Sequence, residues 1–473
     1  MGEAIHPLTQ WDCDWLFQAT NPILAWAVQG DLDIDHLASA LRRAISSDAP
    51  WLGGRLILHD KQNPRYSIHY PPPSSSEEPV PAPSPFAVTI FEDTESDLRA
   101  LVPVYVPSGH PVPVVTRCNT GRLPCLAPLA PFLVTADEAA RQGKPLLHLH
   151  LVRARDLSLL CLAWRHVVMD ATTLRQVIAS WETQLKKLSV TDKTPSTTAR
   201  TRPTLAHLSA ALEITANDAT FPGWTRLSPL KMLCLVARAK LFDKQTFGYP
   251  ATIGTAYIPA AIVQNWVSSV RSELQGAGGE DQQVHVSRND IVAAWFYKTA
   301  WGVYAPGTET TLTRAVNLRG RHELIPADAT GNVLGLAAMP PRYSETLLAE
   351  ASLASLAVES KRAVKKAMEP EHVLAFMKFL GHRARTGQLA VPGTTPFSRR
   401  CLLSSYVNLG LTTPDFGPGL EVRAALQLTS DPIVTRVIDD EDGGWRIHGR
   451  LPHVAWDAIE KALHREMGKL GAV

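Results

Sequence analysis

His166 and Asp170 are the residues of this 473-residue chain whose types and spacing point most directly to acid–base chemistry. They close the segment LSLLCLAWRHVVMD, in which an apolar run ends at the histidine. Imidazole has the side-chain pKa nearest neutrality, and it is the usual group for taking a proton from an alcohol or amine nucleophile. The segment therefore predicts that His166 is a general base at the end of a strand.

The spacing His-x-x-x-Asp occurs twice in the chain, so the surrounding sequence has to separate the two copies. His453 and Asp457 form the second copy. Val454, Ile459 and Leu463 lie around them at a spacing typical of an amphipathic surface helix. We interpret this second copy as part of a helix surface and the first as the candidate site.

The elements around His166 are predicted to be a hairpin followed by a helix. LLHLHLVRA alternates apolar and polar residues, ARD can turn, and LSLLCLAW predicts a second strand. After Asp170, ATTLRQVIASWETQLKKL has an apolar stripe at helical spacing, with lysines in the last turn, where the helix dipole favours cations. Asp170 thus stands at the N-cap, and one interpretation is that it only accepts backbone N–H groups from Thr172 or Thr173.

Four further segments carry polar or glycine-rich signals at wide separations along the chain. They are LTQWD near the N-terminus, GGRL before a predicted strand, AVNLRGRHELIPADATGNVLG with Arg319, Arg321 and Asn332, and SSYVNLGLTTPDFGPG with Ser404, Tyr406 and Asp415. Each motif is short, but the order LTxxD, GGRL, HxxxD, VNxRxR, GN and DFGxG in one chain is specific.

This ordered set resembles the BAHD acyltransferase superfamily, and its divergent microbial branch, such as the trichothecene acetyltransferases, more than its plant members. The resemblance covers nearly the whole chain. It implies an α/β fold of two related mixed-sheet domains, of the chloramphenicol acetyltransferase-like type, with a channel between them. The chain departs from the family pattern at Ala171, where a glycine is usual, at Pro418, where a tryptophan is usual, and at Leu420-Glu421, where plant members often have a basic residue.

The domain organisation is predicted from a composition change and from the resemblance. Strands and helices alternate in both halves, which fits two α/β layers. SVTDKTPSTTARTRPT, from Ser189, replaces apolar periodicity with Ser, Thr, Pro and charge. We expect an N-terminal domain over 1–188, a linker and crossover over 189–228, and a C-terminal domain over 229–473. The resemblance implies that a segment near 415–435 crosses back to the first domain.

The resemblance also implies a reaction and a structural role for the acidic and arginine residues. The reaction is transfer of an acyl group, acetyl by default, from a coenzyme A thioester to a hydroxyl or amine of a secondary-metabolite acceptor. Acyl-CoA is then a co-substrate, and no cofactor stays bound. Asp170 is expected to point away from His166 and to pair with Arg319 or Arg321. Asp415 is expected to anchor its turn by pairing with one of the same arginines.

The remaining candidates surround the reacting atoms in this interpretation. Ser404 and Tyr406, at positions that match a family threonine and tryptophan, are candidate donors to the oxyanion of the tetrahedral intermediate; the alternative is that they are ordinary strand residues. Asn332 is expected to fix its loop, with a place in the pocket as the alternative. Gly417 and Gly419 form the candidate cofactor-binding loop.

Three other interpretations remain open. Condensation domains join acyl groups bound to carrier proteins, but they typically have two adjacent histidines, and this chain has Arg165-His166. The same fold can use His166 in a cyclisation or elimination without coenzyme A, which the departures at Ala171, Pro418 and Leu420 favour. A non-enzymatic binding scaffold leaves His166 and the arginine segment without a purpose.

Composition excludes several other classes of protein. The net charge of +2 is no nucleic-acid or membrane signature, and no apolar run reaches the roughly 18 residues of a membrane span. The N-terminus lacks a secretory signal pattern, and the six cysteines show no CxxC spacing, so we expect a monomeric cytoplasmic protein with reduced thiols. His148 and His150 lack a third ligand with convincing spacing, so no metal is expected, and Cys161 is expected to pack in the core rather than carry an acyl group.

Overall fold

The structure, a computed structural model, describes residues 3–9, 12–59, 65–71, 86–118, 122–189, 221–228, 230, 233, 251–277, 283–303, 309–343, 351–386, 390–392, 399–428 and 434–471. The α-helices in this part of the chain are α1 Trp15–Ala19, α2 Ile34–Asp48, α3 Leu98–Leu101, α4 Ala136–Arg141, α5 Ala171–Ser189, α6 Ala260–Ala277, α7 Arg288–Phe296, α8 Leu353–Ala367, α9 Pro370–Thr386 and α10 His453–Lys469. Short 3₁₀ segments lie at Pro50–Gly53 and Pro124–Leu129, and a π-helical turn lies at Tyr297–Trp301.

The strands in the same part of the chain are distributed over both halves. They are β1 Ala4–Pro7, β2 Ile23–Gln29, β3 Arg55–Leu58, β4 Tyr66–Tyr70, β5 Ala87–Asp93, β6 Val114–Arg117, β7 Leu147–Ala154, β8 Ser158–Trp164, β9 Trp224–Arg226, β10 Thr252–Ile258, β11 Glu309–Asn317, β12 Leu334–Ala338, β13 Arg342–Tyr343, β14 Ala390–Pro392, β15 Arg399–Ser405, β16 Glu421–Gln427, β17 Val434–Asp439 and β18 Trp445–Leu451. Two small sheets, β1-β4-β3 and β14-β9, accompany two large mixed sheets.

The first large sheet has the order β16-β2-β8-β7-β5, with β5 and β7 parallel and the other neighbours antiparallel. Its central strands are apolar at almost every position because both faces of the sheet are covered. Leu24 and Leu162, which lie opposite each other, face one core, whereas Ala25 and Cys161 face the other. This sheet ends at the candidate site, because β8 leads directly into His166.

The second large sheet has the order β12-β11-β15-β17-β18-β10-β6, and β13 also pairs with β11. Strands β11, β15 and β17 are parallel to one another, and the other neighbours are antiparallel. Leu403 and Val437 face a core under the helices of the second half. Tyr406 and Ile438 belong instead to the core of the first sheet, so this face of the second sheet packs towards the first.

The two large sheets exchange strands. β16 comes from the second half of the chain and pairs with β2, where Glu421 lies opposite Gln29. β6 comes from the first half and pairs with β10, where Thr116 lies opposite Thr255. Each half of the chain therefore completes a sheet of the other half.

The hairpin predicted before His166 and the helix predicted after it are present as β7, β8 and α5. α5 begins at Ala171 and carries Lys186 and Lys187 in its last turn. Ser287 and Asp290 form a capping box at the start of α7, with both reciprocal hydrogen bonds made. Of the predicted linker and crossover at 189–228, residues 190–220 lie outside the described residues, whereas β9 lies in the described part. None of the described helices is both long enough and apolar enough to span a membrane.

Candidate active site

His166 lies in a tight turn that joins β8 to α5. The backbone N–H of Trp164 donates to the carbonyl of Pro22 at 3.2 Å, and the N–H of His166 donates to the carbonyl of Thr20 at 3.3 Å. Val167 and Val168 are fully buried, whereas His166 keeps partial exposure. Hydrogen bonds to the segment before β2 therefore fix the backbone of His166, and its imidazole lies at the edge of the buried core.

The imidazole of His166 is fixed by an amide and an aromatic ring. Its Nδ1 lies 3.0 Å from Oδ1 of Asn332, and its ring stacks on Phe17 with 4.6 Å between centroids. Nδ2 of Asn332 donates to the carbonyl of His166 at 2.8 Å and to Oδ1 of Asp12 at 2.9 Å. Because both of these oxygens accept, the amide must present its own oxygen to the ring, so Nδ1 carries the proton and Nε2 keeps a lone pair.

Burial, assisted by the charge of Arg436, keeps the imidazole neutral. Burial lowers the pKa of His166 below its ordinary value of 6.5, and the positive charge of Arg436 lowers this pKa as well, whereas Asp170 and the Asn332 hydrogen bond raise it. Arg436 lies on β17, 3% exposed, with Ser404 opposite it on β15. A neutral imidazole with a free Nε2 lone pair is the form that a general base requires.

Asp170 belongs to a buried ion pair that ties the two halves of the chain together. Its side chain is 0% exposed and accepts two hydrogen bonds from Arg319, at 2.8 and 3.0 Å. It also accepts the backbone N–H of Thr173 at 2.8 Å and that of Val333 at 2.9 Å. The carboxylate is thus both the N-cap of α5 and the partner of Arg319, and neither contact reaches the imidazole of His166.

The loop that carries Asn332 is held at several points by the same ion pair. Arg319 donates to the carbonyl of Ala329 at 2.7 Å and to that of Gly331 at 2.9 Å. Gly331 has φ of +91°, a conformation that favours glycine, which explains the glycine before Asn332 in the sequence. Asn332 consequently reaches His166 directly, and its place in the pocket stays a prediction.

The predicted ion pair between Asp415 and an arginine of the Arg319 segment is wrong. Asp415 pairs with Lys186 at 3.1 Å, and the two side chains are 53% and 67% exposed. Its backbone N–H donates to Glu182 at 3.1 Å, which also lies on α5. Arg321 is exposed, so Arg319 alone of the two arginines lies in the buried cluster.

The glycine-rich loop after Asp415 is docked on the first core by its phenylalanine. Phe416 packs edge-on against Trp26 and Trp181, with centroid distances of 5.4 and 5.5 Å. Gly417 and Gly419 have φ of +120° and +76°, which explains why glycines flank Pro418. Their role in binding a cofactor stays a prediction.

Ser404 and Tyr406 lie at the end of β15, on the face of the second sheet that packs towards the first. Ser404 is partly buried beside Arg436, and Tyr406 is 4% exposed with its backbone N–H bonded to Val437 at 2.8 Å. Their predicted role as oxyanion donors stays a prediction.

The other candidates of the sequence lie away from this cluster. Thr89 Oγ1 is within 2.8 Å of both His148 and His150, and the carbonyl of Cys125 lies 2.7 Å from the second ring of this pair. Cys161 is fully buried, and burial raises its thiol pKa. His453 begins α10, whose buried side packs in the second core, as predicted for a surface helix.

Three residues of the site carried no predicted role: Asp12, Phe17 and Arg436. Asp12 is the final residue of the LTxxD motif, so the motif itself was the available signal. Neither Phe17 nor Arg436 belongs to any of the motifs, and their positions become visible only when the two sheets are packed.

Comparison with curated proteins finds an acetyltransferase of similar length. "Acetyltransferase adrJ" of Penicillium roqueforti is 21% identical to this chain, and the alignment covers 98% of the chain and 96% of that protein. No family model matches the chain.

Comparison with solved structures finds the same fold over the whole length. TRI101 of F. graminearum, solved with coenzyme A and T-2 mycotoxin, has a TM-score of 0.66 at 13% identity, covering 97% of each chain. The first condensation domain of the calcium-dependent antibiotic synthetase, solved with a substrate analogue, has a TM-score of 0.57 at 15% identity, covering 100% of this chain and 98% of that one. The predicted α/β fold with two mixed sheets is confirmed.

Proposed function

We propose that this BAHD-like acyltransferase transfers an acyl group from a coenzyme A thioester to a hydroxyl or amine of a small secondary-metabolite acceptor. The curated relative is named an acetyltransferase, and the fold matches a protein solved with coenzyme A and a mycotoxin. Acyl-CoA is then a co-substrate rather than a resident cofactor. Acetyl is the acyl group that we expect by default.

The observation that carries the proposal is the state of His166. Asn332 accepts from Nδ1, so the lone pair of Nε2 is directed away from the amide and is available to a nucleophile. Burial and Arg436 keep the ring neutral at neutral pH. His166 removes the proton of the acceptor as its oxygen or nitrogen attacks the thioester carbonyl.

In the remaining steps coenzyme A leaves as a thiolate and His166 returns the proton. Attack gives a tetrahedral oxyanion, for which Ser404 and Tyr406 are the proposed donors. The oxyanion collapses with cleavage of the carbon–sulfur bond, and the coenzyme A thiolate leaves. The imidazolium then returns its proton to the thiolate, so His166 is neutral again. Asp170 takes no part in these steps, because Arg319 and two backbone N–H groups occupy its oxygens.

The condensation-domain interpretation is the second candidate, because the fold match to such a domain also covers the chain. The position before His166, where those domains typically have a second histidine, is Arg165. Its guanidinium lies 4.4 Å from the ring centroid of Phe132 and donates to the carbonyl of Pro145 at 3.0 Å. This geometry gives the site one histidine and favours the coenzyme A donor.

The test combines binding with turnover. Coenzyme A that binds only the native state raises the melting temperature, by the equivalent of about 2.7 kcal/mol at a hundredfold excess over Kd. We expect this shift in the wild type and in His166→Ala. With acetyl-CoA and a panel of small alcohols and amines, acceptor-dependent thiol release should fall roughly 10²–10⁴-fold in His166→Ala and stay near wild type in the matched control His453→Ala.

Three outcomes would count against parts of the proposal. Full activity in His166→Ala removes the general base. A pantetheinylated carrier protein that donates acyl groups while acetyl-CoA does not selects the condensation interpretation. An acceptor that stabilises the protein while millimolar coenzyme A does not selects the reaction without coenzyme A.

A further inference from the structure

Asp12 is a buried carboxylate to which the proposed mechanism assigns no role. It is 3% exposed, although it lies only a few residues from the start of the chain. Oδ2 accepts the backbone N–H of Thr9 at 2.7 Å and its hydroxyl at 2.6 Å. Oδ1 accepts the backbone N–H of Asn332 at 3.1 Å and its side-chain amide at 2.9 Å.

The groups around Asp12 favour its ionised form. Three of its four contacts are N–H groups, which donate and cannot accept, so they stabilise the carboxylate over the acid. Burial acts in the opposite direction and is the larger effect, so the pKa of this carboxyl is raised above its ordinary value, although the Thr9 and Asn332 hydrogen bonds lower it. No Lys, Arg or His lies within salt-bridge distance of Asp12 in the described part of the chain, and the neighbouring Cys13 thiol has its pKa raised to about 12 and is uncharged.

Asp12 and Asp170 thus differ in their electrostatic state. The charge of Asp170 is compensated at 2.8 Å by Arg319, whereas Asp12 is compensated only by hydrogen-bond donors. Asn332 links Asp12 to the imidazole of His166, because its side chain donates to the first and accepts from the second. The amide dipole therefore has its positive end at the carboxylate and its negative end at the ring.

We propose that Asp12 is a positioning residue for acyl transfer, which orients Asn332 and, through it, holds the base His166 and stabilises its imidazolium. This inference rests on the proposed function only for its consequence in catalysis, since the hydrogen-bond chain exists in the free protein. These hydrogen bonds join three distant segments: Asp12 precedes α1, Asn332 lies between β11 and β12, and His166 follows β8. The base is thus oriented only when the two large sheets are packed together.

Asp12→Asn tests the inference because it keeps the shape and removes the charge. The charged groups acting on His166 are then Arg436, which lowers the pKa of the imidazole, and Asp170, which raises it. Without the carboxylate the imidazolium is less stable, so the titration of His166 should move to lower pH. The acid limb of the rate profile should move with it, and turnover with acetyl-CoA should fall roughly 10–100-fold, the range for loss of the group that orients a metal-ligating histidine.

Asp14→Asn is the matched control. Asp14 lies two residues away and pairs with Arg383 at 3.3 Å, so this substitution also neutralises a carboxylate of the N-terminal segment. It should lower thermal stability and leave the titration of His166 unchanged. A merely structural role for Asp12 would give the two variants the same result.

The readout is nuclear magnetic resonance of the free protein with ¹⁵N-labelled histidine, in which His166→Ala identifies the signals of the base. This measurement needs no acceptor and no coenzyme A, so it separates the inference from the proposed function. An Asp12→Asn protein that is folded and titrates at His166 like the wild type would overturn the inference.

A second measurement uses the unaltered protein. With ¹³C-labelled aspartate, the side-chain carboxyl signal that is lost in Asp12→Asn or Asp12→Ala reports the protonation of Asp12. We expect a carboxylate at neutral pH and a change in the His166 signals where Asp12 takes up a proton. A carboxyl group that is already protonated at neutral pH would also overturn the inference, and either folded variant is sufficient to assign its signal.

Discussion

Replacing Asp170 by alanine is expected to destabilise the protein far more than replacing Asp415. The Asp170 carboxylate is 0% exposed and accepts four hydrogen bonds, two of them from Arg319. Its removal leaves a buried guanidinium without a counter-charge, which costs about 3–5 kcal/mol. For a domain of about 150–250 residues each kcal/mol lowers the melting temperature by roughly 2–4 °C, so the expected decrease is roughly 6–20 °C.

Asp415→Ala is the control for this prediction. Asp415 and Lys186 are both more than half exposed, and such pairs contribute about 0–1 kcal/mol. The melting temperature should therefore fall by at most about 4 °C. Differential scanning calorimetry of both variants at one scan rate makes the comparison, and Asp170→Asn, which keeps the volume, covers the case in which Asp170→Ala does not fold.

Two results would refute the reasoning about this pair. Equal decreases in melting temperature in Asp170→Ala and Asp415→Ala would mean that burial does not determine the free-energy cost of breaking an ion pair. A wild-type melting temperature combined with loss of activity in Asp170→Ala would place Asp170 in the chemistry instead of in the scaffold.

Two further predictions concern pH. The kcat/KM profile should rise through the lowered pKa of His166 and be flat above it, with its midpoint below the ordinary 6.5, and a midpoint at or above 6.5 would contradict a buried base. His148 has its pKa lowered by burial to about 4, so below 6.5 the unfolded chain binds a proton that the native protein does not. Stability should then fall as pH decreases from 6.5 to 4, by on the order of 3 kcal/mol from this residue. Urea titrations at several pH values should show a weaker dependence in His148→Gln, and an unchanged dependence would exclude this histidine as the source.

The sequence was sufficient for the elements around His166, because each is specified locally. The apolar run of β8 is buried on both faces, and the stripe of α5 has an unambiguous helical period. The pairing of Asp170 with an arginine, either Arg319 or Arg321, followed from the family resemblance rather than from the spacing. Local signals thus predicted the strand and helix that flank His166. The motif order predicted that Asp170 pairs with an arginine.

The incorrect and missing assignments all depend on contacts between distant segments. Nothing in DFGPG indicates that Phe416 packs on Trp181, yet this contact places Asp415 beside Lys186 instead of Arg319. Asp12 and Asn332 are 320 positions apart, and only the packing of the two sheets brings them together. A motif identifies such residues without showing which of them meet.

The strand exchange between the two large sheets has a consequence for the order of events during synthesis. β2 is made early, but its neighbour β16 follows about 390 residues later, which at about 5–20 residues per second is roughly 20–80 s of translation. Throughout that time one edge of the first sheet lacks its final strand, and unpaired edges favour association with other chains. The sheet that leads into His166 is therefore complete only after the last quarter of the polypeptide has been made, although the histidine itself is encoded in the first half.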